Sequence, residues 1–345
     1  MNIAPTPFDG GHSRPITLYV TKDEAEIRLD RWFRRHFPWI TQGVVQKLCR
    51  TGQIRIDGKR GEASTRLAPG QAMRIPPLPA APVKKERAPV APLDPHLLRE
   101  LEKAVIYRDD ALLVLNKPPG LPVQGGPGIT RHLDGMLDEL RFGSEHRPRL
   151  VHRLDRDTSG VLVLARTPGI AAKLAASFRT RDVEKTYWAV VAGRPVPVEG
   201  RIDLPLKRDG GPRGEHTIPT TRDDEDGQRA VTDYQTLDHA ARKLAWLELK
   251  PMTGRTHQLR VHCVAIGAPI LGDVKYAQPD HNGAGSAIVE GVSDQLHLHA
   301  RALHLPHPHG GTLEIEAELP AHMRETFLTL GFTAPPVRPA MRRVR

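Results

Sequence analysis

The stretch that most constrains this chain is residues 76–95, PPLPAAPVKKERAPVAPLDP. Proline fixes φ and removes backbone donors, and alanine offers little to bury, so the segment can build neither a ladder nor a core. It reads as a semi-extended linker. A small module, residues 17–75, precedes it and a much larger domain, residues 96–335, follows. Residues 1–16 show no periodicity and read as a loose lead-in.

In the small module Leu29, Trp32, Phe33 and Phe37 fall on one face of a helix, with Arg28, Arg31, Arg34 and Arg35 mostly off that stripe. Pro38 closes the helix. Thr41 can open a second one with Val44, Val45 and Leu48 as its apolar face, and Gly52 can end it. Ile54–Ile56 reads as a strand turned at Asp57-Gly58, and Arg74 and Ile75 end another. Two short helices leading into a small sheet are expected.

In the large domain, strands are expected at 105–107, 112–115, 161–165, 185–192, 244–250 and 313–319, and helices at 170–178 and 258–267. Strands outnumber helices, and few intervals suit right-handed crossovers. The expected class is α+β around a largely antiparallel or mixed sheet. Residues 277–293 read as a surface insertion.

Charge narrows the partners. A formal net charge of +10 and a pI near 9.8 favour a polyanion. No apolar run approaches the roughly 18 residues needed to span a bilayer, so no membrane role is expected. The first residues lack the charged-then-apolar order of a signal peptide. Cys49 and Cys263 stand far apart with no second thiol near either, which argues against disulfide frameworks and Cys-rich zinc sites. The expected class is a cytoplasmic protein that handles nucleic acid. A histidine-rich stretch at 297, 299, 304, 307 and 309 raises metal binding, but acidic partners are missing nearby and Pro306 and Pro308 interrupt the spacing. No metal is expected.

The chemistry concentrates in Val151–Gly160, VHRLDRDTSG, which feeds the apolar run Val161–Ala165. A charged turn on a buried strand is a rigid mount for a reactive group. Taken alone, such a turn more often caps local backbone than reacts. The whole string, however, resembles the signature of the RluA-type pseudouridine synthases. Lys117-Pro-Pro-Gly120, Lys185-Thr-Tyr187, Gly254–His262 (GRTHQLRVH), Leu298-His-Ala300 and Pro306-His-Pro308 follow in that family's order, so the resemblance covers about residues 100–320.

The resemblance implies isomerisation of uridine to pseudouridine in RNA without a cofactor. Asp155 is then the essential carboxylate, acting covalently at C1′ or C6 or abstracting a sugar proton to form a glycal. Tyr187 is expected to pack on the uracil and help remove the C5 proton. Arg255 is expected to pair with Asp155, Leu259 to lie against the flipped base, and Arg153 to enter the gap left by the extruded nucleotide. Lys117 is expected to be structural or to contact phosphate.

The small module has its own likeness. Arg28-Leu-Asp-Arg-Trp, Gln46-Lys-Leu and Gly52–Gly58 resemble an S4 RNA-binding domain. Arg31, Arg34, Arg35 and Lys47 are candidates to track a phosphate backbone, by position and charge. The motifs most resemble bacterial synthases acting on large-subunit ribosomal RNA, with tRNA as the alternative substrate; a monomer is the default. Two rivals compete: a non-catalytic RNA-binding or ribosome-assembly protein, and a glycosidase with paired carboxylates.

Overall fold

The computed structural model describes residues 14–343 except 22–23, 80–94, 127–128, 130, 181, 211–215, 242 and 277–290. Most of the expected linker and of the expected 277–293 insertion lies outside the described residues. The chain divides into two compact units, Met1–Pro92 and Leu93–Arg345.

In the first unit, helices Leu29–His36 and Gln42–Arg50 accompany a four-stranded antiparallel sheet. Its strands run in the order Ile16–Tyr19, Ala72–Ile75, Arg55–Ile56, Lys59–Arg60. The expected helical stripe is the core: Leu29, Trp32, Phe33 and Phe37 are wholly buried. Each such side chain contributes about 1.5–3 kcal/mol. Asp57 and Gly58 both take positive φ, the backbone that a two-residue hairpin with right-twisted strands requires. Glu24 is buried beneath the first helix, accepting from Trp32 Nε1 and Thr21 N–H at 3.1 Å each, with His36 Nε2 at 2.6 Å. Burial opposes its charge, but the bonds from Thr21, His36 and Trp32 outweigh that and hold its pKa below the usual carboxylate value. Leu78 is buried in this unit and Trp39 Nε1 donates to the Pro79 carbonyl, so residues 76–79 belong to the module rather than to a linker.

The second unit is built on an eleven-stranded mixed sheet. Its main path runs Glu199–Asp203, Val231–Ala240, Leu244–Pro251, Glu184–Ala192, Leu298–Pro306, Ser159–Ala165, Leu112–Lys117, Val105–Arg108. Among the described residues every pairing in it is antiparallel except one: Leu298–Pro306 runs parallel to Ser159–Ala165. Both faces are covered. Val161, Val163 and Ala165 pack into one cluster with Ile170 and Leu174 of helix Pro168–Arg179, while Leu162 and Leu164 pack on the other side with Leu133 and Leu137. Further along, Ala189 and Val191 face Leu259 and Cys263 of helix Gln258–Ala265. Trp188 and Val190 face Met323 and Phe327 of helix Ala321–Leu330.

Three features go beyond the expected elements. Helix Pro95–Lys103 begins where the linker was expected to end. Leu206–Asp209 and His216–Pro219 form a separate two-stranded hairpin. Past residue 335, Met341–Arg343 pairs with Thr312–Glu316, Arg338 bridges Glu316, and Arg342 donates to the carbonyls of His309 and Gly310. The basic C-terminal residues up to 343 are thus a sheet strand, and the domain extends beyond 335.

Candidate active site

Strand register sets the geometry of the site. Gly160 pairs with Ala300, Ala300 with Tyr187, and Tyr187 with Leu249, one row across four strands. The VHRLDRDTSG turn therefore leads into the row that carries Tyr187. The turn is pinned from below by Lys117, which is wholly buried and donates to the carbonyls of Pro118 (2.8 Å), Arg156 (2.9 Å) and Leu121 (3.0 Å). Burial pulls the Lys117 pKa down to about 7, against the charges of Asp157 and Asp155. Its role here is structural. Ser159 and His299 lock the other end: His299 Nε2 donates to the Ala317 carbonyl, so Nδ1 accepts the Ser159 hydroxyl at 2.8 Å. His152 Nε2 accepts the Val163 N–H at 2.8 Å, and its ring stacks on Phe178.

A cleft of about 290 Å³ opens above this base. Arg153, Asp155, Tyr187, Arg255 and Leu259 all line it, together with Lys185, His257 and Arg260. Arg153 is exposed at the rim, Asp155 is half-buried, and Leu259 is buried as part of the helix core. Tyr187 packs between two core clusters. Burial, and then the negative charge of Asp155, push its phenol pKa well above the ordinary value, so it carries its proton at neutral pH. Burial likewise lowers the Lys185 ammonium from its ordinary value.

The expected pair between Arg255 and Asp155 is not formed. The Arg255 N–H is tied to Gln258 Oε1 at 3.0 Å, and its Nε donates to the Arg229 carbonyl at 3.1 Å, leaving the side chain exposed on the rim. Two other residues of the same motif face the carboxylate instead. His257 Nε2 stands 3.9 Å from Asp155 Oδ2. Arg260 is buried and makes a two-point pair with Asp273, at 2.8 and 2.6 Å. Burial works against the Arg260 charge, but the bonds and charge of Asp273, and after them the charge of Asp155, outweigh it and raise its pKa. The readable signal was the motif itself: residues 257 and 260 both fall within GRTHQLRVH.

Three histidines of the 297–309 stretch have protein partners. His297 bonds the Gln295 carbonyl and Thr326, His299 bonds Ser159 and Ala317, and His307 meets Asp109 at 2.8 Å. Among the described residues no group of three His, Cys, Asp or Glu is placed to hold a metal ion. In the first unit, taken by itself, Arg31, Arg34 and Arg35 on one helix and Lys47 on the next were the expected phosphate contacts. All four are exposed.

Comparison with known proteins identifies the family. The RNA pseudouridylate synthase family model matches residues 111–265, a span that contains Asp155, Tyr187 and the 254–262 motif. Ribosomal large subunit pseudouridine synthase C of Rickettsia felis is 34% identical over 87% of this chain and 96% of its own length. The mitochondrial RNA pseudouridine synthase 4 of Arabidopsis thaliana is 31% identical over 88% of this chain and 80% of its own. The solved structure of human RNA pseudouridylate synthase domain containing 4 has a TM-score of 0.58 and 32% identity, covering 70% of this chain and 98% of that one. A mixed sheet with a charged turn set against a strand tyrosine, and relatives matched over nearly their whole length, lead to one conclusion: the chain belongs to the RNA pseudouridylate synthase family.

Proposed function

We propose that this enzyme isomerises specific uridines of large-subunit ribosomal RNA, with Asp155 as the essential carboxylate. The observation that carries the reading is that Asp155 and Tyr187 line one cleft and interact electrostatically across it. The substrate class rests on relatives whose names specify the ribosomal large subunit.

Isomerisation breaks the bond from N1 to C1′, rotates the uracil and joins C5 to C1′; a proton leaves C5 and N1 gains one. Nothing is oxidised or reduced. Asp155 acts at C1′, at C6 or on a sugar proton, each within reach of one carboxylate. The base must leave the stack to enter the cleft. Arg153 at the rim suits the gap left behind, and Leu259 offers an apolar wall for the ring. Tyr187 is a neutral phenol, so it contacts the base and passes protons rather than resting as a phenolate base. Arg260, not Arg255, is the buried cation whose charge acts on the carboxylate. Arg255 serves the RNA backbone at the rim.

The first unit is proposed to be an S4-type RNA-binding module, with Arg31, Arg34, Arg35 and Lys47 tracking phosphates. The protein is proposed to act as a monomer in the cytoplasm, without a cofactor. Pseudouridine mapping in cells lacking this chain, rescued by wild type or by Asp155→Asn, tests the reading. A few large-subunit sites lost and restored only by wild type is the expected result. Sites lost in tRNA instead would reassign the substrate, and rescue by both proteins would remove Asp155 from the mechanism.

A further inference from the structure

The hairpin strand His216–Pro219 lies outside the large sheet, yet it connects to the catalytic carboxylate. Thr217 N–H donates to the Tyr276 hydroxyl oxygen at 3.0 Å, and that hydroxyl lies 2.6 Å from His257 Nδ1. The oxygen accepts from Thr217, and the single hydroxyl proton is available to Nδ1. Nδ1 then accepts, and a neutral imidazole with an accepting Nδ1 carries its proton on Nε2. Burial keeps the ring neutral, pulling its pKa to about 4 although the charge of Asp155 opposes this. Burial also raises Tyr276, which keeps its proton.

A second observation is independent of protonation. His257 sits at φ 53°, ψ 18°, in the left-handed region, at the N-terminus of helix Gln258–Ala265, and its side chain makes no capping bond there. Left-handed backbone costs a non-glycine residue about 1 kcal/mol or more, and such residues persist where their surroundings hold them. Its ring is tied to Tyr276 at 2.6 Å, and its Nε2 stands 3.9 Å from Asp155 Oδ2. The other charged groups around the ring are Arg260, Lys275 and Asp273. Arg260 is already committed to Asp273, so the imidazole N–H supplies a directional donor that this cation does not.

We propose that His257 is a positioning residue: its Nε2–H, oriented by the Tyr276 hydroxyl, holds one oxygen of Asp155 so that the other faces the nucleotide. The 3.9 Å separation exceeds a hydrogen bond; on this proposal it shortens when the nucleotide fills the cleft. The inference rests on Asp155 as the catalytic carboxylate.

The test combines spectroscopy with single-turnover kinetics on a uridine-containing RNA. Long-range nitrogen–proton spectra of histidine-labelled protein, assigned with His257→Gln, should show the Nε2–H tautomer, and Tyr276→Phe should abolish that preference. Tyr276→Phe and His257→Ala should slow the single-turnover rate by about tenfold or more, with RNA affinity within about twofold. His257→Gln, which retains an N–H, should recover part of the loss. An Nδ1–H tautomer, wild-type rates in both variants, or equal losses in rate and affinity that glutamine does not relieve would overturn the proposal. Asp155→Asn is the control: an active Asp155→Asn sinks the carboxylate assignment itself, whereas an inactive one beside fully active His257→Ala sinks only the positioning role.

Discussion

Gly160 and Ala300 meet backbone to backbone in the parallel ladder of the large sheet, and a Cβ on Gly160 would collide with the Ala300 peptide. Gly160 also takes φ 110°, a conformation that L side chains rarely adopt. Both constraints act where the Val151–Gly160 turn enters its strand. Gly160→Ala should therefore destabilise the protein by about 2–4 kcal/mol and misplace Asp155. Urea denaturation with an activity assay on the folded fraction checks this, and a neutral variant would mean that the two strands can move apart at little cost.

The two arginines of the 254–262 motif should separate kinetically. Arg260 is buried against Asp273 and senses Asp155, so Arg260→Ala or Asp273→Asn leaves an unpaired charge and should cost about 3–5 kcal/mol of stability as well as turnover. Arg255 is exposed, so Arg255→Ala should keep the rate at saturating RNA within about threefold while weakening binding and lowering the salt slope by roughly one. Steady-state kinetics at two salt concentrations distinguishes the pair.

Much of this was legible in the sequence. The helical stripe Leu29, Trp32, Phe33, Phe37 and the run Val161–Ala165 were readable because burial imposes period and composition. That Asp155 and Tyr187 line one cleft follows linear motifs readable in the sequence. The Arg255 pairing was expected from the family resemblance, and a linear motif does not carry side-chain direction, which here follows a bond to Gln258 and a carbonyl at Arg229. The Tyr276 contact to His257 joins residues 19 apart through a hydroxyl, which no local pattern marks. Likewise the strand Met341–Arg343 carries too few apolar residues to declare itself.

Acid should weaken the fold through its buried histidines. Burial lowers His299 to about 3 and His297 to about 4, against 6.5 for the free side chain. Both are bases with depressed folded pKa values, so below about 6.5 the unfolded chain takes up protons that the folded chain does not. Their contribution is complete above that pH and is lost as pH falls toward 4 and 3. Each gives a slope of about 1.4 kcal/mol per pH unit in that window. His299→Gln should flatten the dependence of urea stability on pH between about 6 and 4.5 by that amount.

Cations of the first unit should act on affinity alone. Replacing Arg31, Arg34, Arg35 and Lys47 together by glutamine should weaken RNA binding and reduce its dependence on salt, by about 0.7–0.9 in slope for each phosphate no longer neutralised. None of the four is buried, so the unit should stay folded. Single-turnover rates at saturating RNA should be unchanged.

The most direct measurement is proton release from C5. Purified protein is mixed with ribosomal RNA transcript carrying tritium at uridine C5, and released tritium is counted for wild type and for Asp155→Asn. The account predicts release by wild type, matched one to one by pseudouridine formed with no free uracil, and none above background from Asp155→Asn. Release of free uracil, or equal tritium release by both proteins, would contradict it.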